Sequence, residues 1–361
     1  MMLNLRYRLS ILSLLLVCVV IVLGAYTRLT DAGLGCPDWP GCYGFLTVPT
    51  EAAHIEVAES AYPERPVEYH KARNEMVHRY FAGGLGMLVL FMFVLSTMAR
   101  QHVKLTGLLL VTVGFQAVLG MLTVTMNLMP LVVMGHLLGG FTTFCLILLL
   151  TLKLRTEWLN QSDIFHDVPE SVNVSEGLKG LVKVTFLLVV IQIALGGWTA
   201  ANYAAVACTD LPICEPGWQQ KFDIGSALSV PTGYEDYEFG VFPYEARMTI
   251  HVLHRFGAMV VTASILFLLV LLFRQTQLRP FGIVIALLTL AQITLGVSNV
   301  VFHLPLYVAV GHNFVGLLLL ASLLALWHYT MRQYKLHQQL EFNKAADKNP
   351  NNNSIIMQQG A

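Results

Sequence analysis

Long apolar runs separated by polar stretches dominate the chain. Windows of about 20 residues that meet the length and apolarity needed to cross a bilayer fall at roughly 10–28, 75–98, 105–126, 131–152, 181–202, 248–273, 281–302 and 306–329. The pattern predicts an all-α integral membrane protein with eight transmembrane helices. The polar stretches alternate in character. Those at 29–74 and 203–247 are long, whereas those near Asn127–Pro130 and His303–Pro305 are tight turns, and all four fall on one side of the membrane. On the other side only 153–180 is long. The opening run Leu9–Leu23 follows Arg6 and Arg8 in the manner of a signal peptide. It continues smoothly to Arg28 without a small-x-small cleavage site, so it reads as a retained first span.

Composition agrees with this pattern. Of the 361 residues, 55% are hydrophobic and 12% charged, against about 25% charged in soluble domains. A net charge of zero conceals an asymmetry. With the N-terminus in the cytoplasm, 14 of the 22 Lys and Arg residues face inside, while the outer loops carry Glu51, Glu56, Glu59, Glu64, Glu68, Glu235, Asp236 and Glu238. The positive-inside bias then sets both termini in the cytoplasm. No basic patch or motif points to nucleic acid. The tail after His337 is polar and ends in an Asn-rich run, a composition expected to be disordered.

The chain repeats itself. At a shift of 172, Gly24, Thr27, Cys36, Asp38, Pro40 and Cys42 fall on Gly196, Thr199, Cys208, Asp210, Pro212 and Cys214. At a shift of 176, His78, Arg79, Gln116, Gly120, Gly135 and His136 fall on His254, Arg255, Gln292, Gly296, Gly311 and His312. The four-residue difference belongs to the long outer loop, where insertions are tolerated. Each half holds four spans, so both have the same topology and form a parallel repeat. The expected architecture is two tandem, pseudo-symmetric four-helix bundles: residues 1–152, a cytoplasmic linker 153–180, residues 181–330 and a disordered tail 331–361.

Chemistry concentrates on the repeated residues. His78 and His136 in one half, and His254 and His312 in the other, lie one to two turns in from the outer ends of four spans. Ionisable groups inside a membrane are costly and mark function. Two imidazoles at one depth in a four-helix bundle suit an axially ligated planar macrocycle. Zinc fits less well, because each half brings only two such histidines and no thiolate cluster. Arg79 and Arg255 directly follow a histidine and are candidates to pair with a haem propionate. Cys36 and Cys42, and likewise Cys208 and Cys214, bracket five residues in loops facing an oxidising compartment, where disulfides persist. Each pair is either a loop staple or a redox-active couple. One repeated position differs: Glu75 stands three residues before His78, on the same helix face, where His251 precedes His254. A carboxylate beside a haem edge can shuttle protons, which a half that only passes electrons does not need.

Gly24-Ala25-Tyr26-Thr27-Arg28-Leu29-Thr30 running into Gly35-Cys36-Pro37-Asp38-Trp39-Pro40-Gly41-Cys42, then Glu75-x-x-His78-Arg79, His136, His251-x-x-His254-Arg255 and His312, resemble the haem A synthase family over about residues 10–330. The resemblance implies an oxidoreductase of the bacterial cytoplasmic membrane with its haem sites toward the periplasm. It implies oxidation of a methyl substituent of haem o to the formyl group of haem a, through successive hydroxylations, for haem-copper terminal oxidases. By the same resemblance His254 and His312 hold a permanent haem b. His78 and His136 receive haem o and release haem a, Glu75 is the essential acid, and Cys36–Cys42 matter for activity. Haem o synthase, oxidase assembly factors, membrane lipid and a second copy of the chain are the expected partners. The alternative is a non-enzymatic dihaem cytochrome b that carries electrons through the same four ligands.

Overall fold

The computed structural model describes residues 2–161 and 174–348, with side chains described as far as 341. Among the described residues the chain is helical, with no strand. Eight helices are long and apolar enough to cross a membrane: α1 (Met2–Leu29), α3 (Tyr69–Ala99), α4 (Val103–Thr125), α5 (Pro130–Gln161), α6 (Glu176–Ala201), α8 (Tyr244–Phe273), α9 (Arg279–Val301) and α10 (Leu306–Lys348). Two short helices, α2 (Ala52–Ala61) and α7 (Ile224–Ala227), lie in the two long loops. The expected spans therefore all exist. Their ends run further, and α3 begins six residues early because Tyr69 to Asn74 continue the helix above the apolar window.

Packing follows the repeat. In the first half α1 packs on α3 and α5, and α4 packs on α3 and α5; in the second, α6 packs on α8 and α10, and α9 packs on α8 and α10. The halves meet where α5 touches α6 and where α10 touches α1, two contacts that the repeat makes equivalent. A shared apolar core includes Val17, Val89, Leu109, Ile147, Val182, Ile265, Ile285 and Leu317. Large apolar side chains such as Leu15, Met87, Val111, Phe115, Leu266 and Leu290 point outward instead. On a helix of this length they present a surface suited to lipid.

Backbone details repeat as well. The tight turns place Asn127 and Leu128 at φ 47 and 62, and His303 and Leu304 at φ 56 and 63. Such left-handed pairs are costly without glycine, so each turn depends on the helices it joins. Asp31 and Tyr203, just beyond the ends of α1 and α6, share the same conformation. At this loop-bearing end Arg28 crosses between halves. It donates to Tyr203 Oη at 2.6 Å and Ala200 O at 3.1 Å, and its guanidinium stacks 4.0 Å from the Tyr203 ring centre.

One expectation needs correction. Residues 331–348 were expected to be disordered with the rest of the tail, but α10 stays helical to Lys348. The segment Met331 to Lys348 is rich in Gln, Lys, Leu and Ala, which favour helix, and it extends a helix already nucleated in the bundle. Residues 349–361, and 162–173 within the expected linker, lie outside the described residues.

Candidate functional site

All four repeated histidines are brought to the loop-bearing end of the bundle, two per half. His78 (α3) and His136 (α5) face each other with ring centroids 6.4 Å apart. Metal–imidazole bonds are about 2.0 Å and the bonding nitrogen lies roughly 1.1 Å from its ring centre, so imidazoles on opposite sides of one metal have centroids about 6 Å apart. The observed spacing would accommodate a metal between the two rings, and it is also within the range of an ordinary edge-to-face ring contact. Nδ1 of His78, His136 and His312 is buried without a hydrogen bond. Such atoms ordinarily have a partner, so close packing carries much of the task of holding these rings.

The packing partner is the same at all four rings. A Cβ built on Gly24 would lie 2.9 Å from Cε1 of His78, on Gly120 3.3 Å from that of His136, on Gly196 3.0 Å from that of His254, and on Gly296 3.1 Å from that of His312. Each Leu-Gly pair on α1, α4, α6 and α9 thus lets one imidazole edge lie against a bare backbone. Gly196→Ala is therefore expected to displace His254 and weaken haem retention by about 1–3 kcal/mol, the cost of overpacking. Bound pigment per mole of purified protein measures it, and Gly120→Ala, with more room, should lose less. In the second half His254 and His312 each lie against a bare glycine of a neighbouring helix, and two buried imidazoles are a donor set that suits a haem.

Glu75 and Arg79 occupy the loop side of His78. Glu75 is 5% exposed. Its Oε2 accepts from the Cys36 backbone N–H at 2.9 Å, and its Oε1 pairs with Arg79. Arg79 donates onward to the carbonyls of Asp38 (2.9 Å), Pro40 (3.3 Å) and Gly41. In the second half Arg255 does the same work, donating to the carbonyls of Cys208, Asp210 and Ile213. Its Nε lies 3.3 Å from Nε2 of His251, which replaces Glu75. The donors of both guanidiniums clamp the cysteine loops onto the helices.

The loops themselves are closed. Cys36 with Cys42 and Cys208 with Cys214 lie at disulfide distance, with Cα separations of 4.8 and 4.9 Å. The first loop has an extra lock absent from the second. Asp38 accepts from the N–H groups of Tyr43 (2.6 Å) and Gly44 (2.7 Å) through its two carboxylate oxygens. Burial, with a smaller contribution from the charge of Glu68, pushes the Tyr43 phenol up to about 12, so it stays a neutral donor to Pro66 O at 3.1 Å. Gly41 is confined here, since a Cβ would lie 2.3 Å from the Phe45 carbonyl.

Of the two glutamines singled out by the repeat, Gln292 lies 3.3 Å from His312 Nε2, and Gln116 lies where a Cβ on Gly139 would collide with it. Sequence reasoning missed Gln192 on α6, whose amide nitrogen lies 3.0 Å from His254 Nδ1. It has no counterpart in the first half, so a search for repeated residues passes it over.

Known proteins are similar to this chain over nearly its whole length. The sequence profile of the family described as cytochrome oxidase assembly protein matches residues 7–324. The haem A synthase of Shewanella oneidensis is 48% identical over 324 residues, covering 88% of this chain and 95% of the relative. Those of Mesorhizobium japonicum and Flavobacterium psychrophilum are each 25% identical, covering 91% and 85% of this chain and 91% and 92% of their own length. The match spans both histidine pairs and both cysteine loops, and the chain belongs to the cytochrome oxidase assembly protein family that includes these haem A synthases.

Proposed function

We propose that this protein is a membrane-embedded haem A synthase, converting a methyl substituent of haem o to the formyl group of haem a through successive hydroxylations. The observation that supports this most directly is the unequal pair of halves. Each half has a glycine-backed histidine pair and an arginine-clamped cysteine loop, yet only the first sets a buried carboxylate, Glu75, beside its pair. On this reading residues 1–152 form the reactive bundle and residues 181–330 the electron-supplying one. His78 and His136 hold haem o and release haem a, while His254 and His312 hold haem b. A haem in the second half supplies one-electron transfer.

The chain's own residues do the rest. Glu75 holds and releases protons at its carboxylate oxygens next to the substrate edge. Arg79 and Arg255 keep the cysteine loops seated on the helices, and either could pair with a propionate of a haem bound in its half. The closed loops cap the sites against water. Both termini are placed in the cytoplasm and the haem sites toward the periplasm of a bacterial inner membrane. There haem o synthase, oxidase assembly factors and a second copy of the chain are the expected neighbours.

The matched histidine pairs alone would equally serve a dihaem electron carrier. Acid–acetone extraction of pigment from protein expressed alongside a haem o supplier separates the two. Haem b together with haem o or haem a is expected. Haem b alone in both halves, with no haem a in the cells, would leave only the electron carrier.

A further inference from the structure

Residues 233–240 belong by sequence to the long loop of the second half, yet they are seated on the first. The Tyr237 N–H donates to the Asn127 carbonyl at 3.1 Å, and Asn127 Nδ2 donates to the Glu235 carbonyl at 2.7 Å. Arg65 holds the same place from the first loop, donating to Asn127 Oδ1 at 3.2 Å and lying 3.6 Å from Asp236 Oδ2. Glu238 is within electrostatic reach of Lys71, in the first turn of α3, and of Asp31, just beyond α1. Asn127 itself lies in the turn that joins α4 to α5. The segment therefore meets the loop-bearing ends of all four helices of the first bundle, among them the two that carry His78 and His136. At its far end Phe239 packs on Tyr203 with ring centroids 5.7 Å apart, and Tyr203 receives Arg28 of α1.

Its construction is that of a strap. Gly233 and Gly240 stand at its ends with φ of 84 and 83, left-handed angles open to glycine without strain. Between them Tyr234, Glu235, Asp236 and Phe239 are exposed, whereas Tyr237 is 6% exposed. One buried ring and a handful of polar contacts hold the segment down, the make-up of a region that opens locally at low cost. The second half has no matching cover. Asn127 and Leu128 fall on His303 and Leu304 at the shift of 176. Among the described residues no hydrogen bond or ion pair of the first loop reaches that turn.

We propose that this strap, plugged by Tyr237, is a positioning element of the first half's site: it keeps the haem substrate in place between the successive hydroxylations and opens to let haem a leave. The inference rests on the reading of residues 1–152 as the reactive bundle. A methyl group becomes a formyl group only if the singly hydroxylated haem stays bound for a second oxidation. The share that escapes is set by the rate of opening against the rate of that second step. A closure hinged on two glycines and held by one ring commits the substrate while closed and releases the product when it opens. A half whose haem stays in place needs no such closure.

The test uses the full-length chain expressed with a haem o supplier. Tyr237→Ala is expected to raise the ratio of singly hydroxylated haem to haem a in the extracted pigment by about 10-fold, the order set by losing the burial of one large side chain. Transfer of haem o and haem a from the purified protein to an excess of apomyoglobin should speed by a similar factor, while haem b leaves at the wild-type rate. Asn127→Gly keeps the left-handed turn and its carbonyl but removes the amide that meets Glu235 and Arg65, and it should move both readouts in the same direction. Tyr237→Phe keeps the ring and should behave as the wild type. A wild-type pigment ratio and transfer rate in Tyr237→Ala would overturn the inference, as would equal acceleration of haem b loss, the mark of general loosening. His78→Ala is run alongside. Loss of both oxidised pigments there supports the reactive-half reading on which the inference rests, whereas full conversion overturns both.

Discussion

Glu75→Gln is expected to lower haem a formation by about 10²–10⁴-fold, the range contributed by one positioned acid–base group, while haem b stays in place and haem o accumulates. The substitution keeps the side chain's size and an oxygen that can accept from Cys36 N–H, so the loop contact at 2.9 Å survives. What disappears is the proton-exchanging carboxylate, three residues before His78 and on its helix face. At the equivalent place His251 offers an imidazole against Arg255, and His251→Ala should leave conversion largely intact. Pigment analysis of the two variants reads the difference as a ratio of haem o to haem a. Wild-type conversion by Glu75→Gln would move the chemistry away from this half.

Much of this arrangement is legible from the chain alone, for physical reasons. A bilayer forces each span to be a continuous apolar window, so the eight helices appear in one dimension. Duplication then marks the residues that matter, because a histidine kept at the same depth in both copies stands out from incidental ones. Three things resist that reading. Helix ends depend on polar residues that continue a helix beyond the membrane, as Tyr69 to Asn74 do in α3 and the segment after Met331 does in α10. The destinations of Arg79 and Arg255 depend on where loop carbonyls fold back, and that follows from the loop path rather than from spacing. Gln192 lies in the copy-specific remainder, which a repeat search discards. Its signal was an intramembrane polar side chain whose matched position is Val20, a difference of the same kind as Glu75 against His251.

Arg79→Met is expected to be the most destabilising change at the site, costing about 3–5 kcal/mol, because it strips the partner from a buried charge. Glu75 and Arg79 side chains are 6% and 12% exposed, so water offers little replacement. The same change removes the donor that gathers the carbonyls of Asp38, Pro40 and Gly41. Two consequences follow, and they separate the charge from the clamp. Adding Glu75→Gln to Arg79→Met removes the stranded carboxylate. The double variant should therefore melt above Arg79→Met, and the two changes should be non-additive by about 1–3 kcal/mol, as expected for residues in contact. The loop stays unclamped in the double variant, so dithiothreitol should still reduce Cys36–Cys42 faster than in the wild type, while Cys208–Cys214, held by Arg255, keeps its wild-type rate. Thiol labelling after timed reduction follows the second outcome and thermal denaturation in detergent the first. Additive losses would show that Glu75 and Arg79 are independent. Equal acceleration at both cysteine pairs would show general loosening rather than loss of a local clamp.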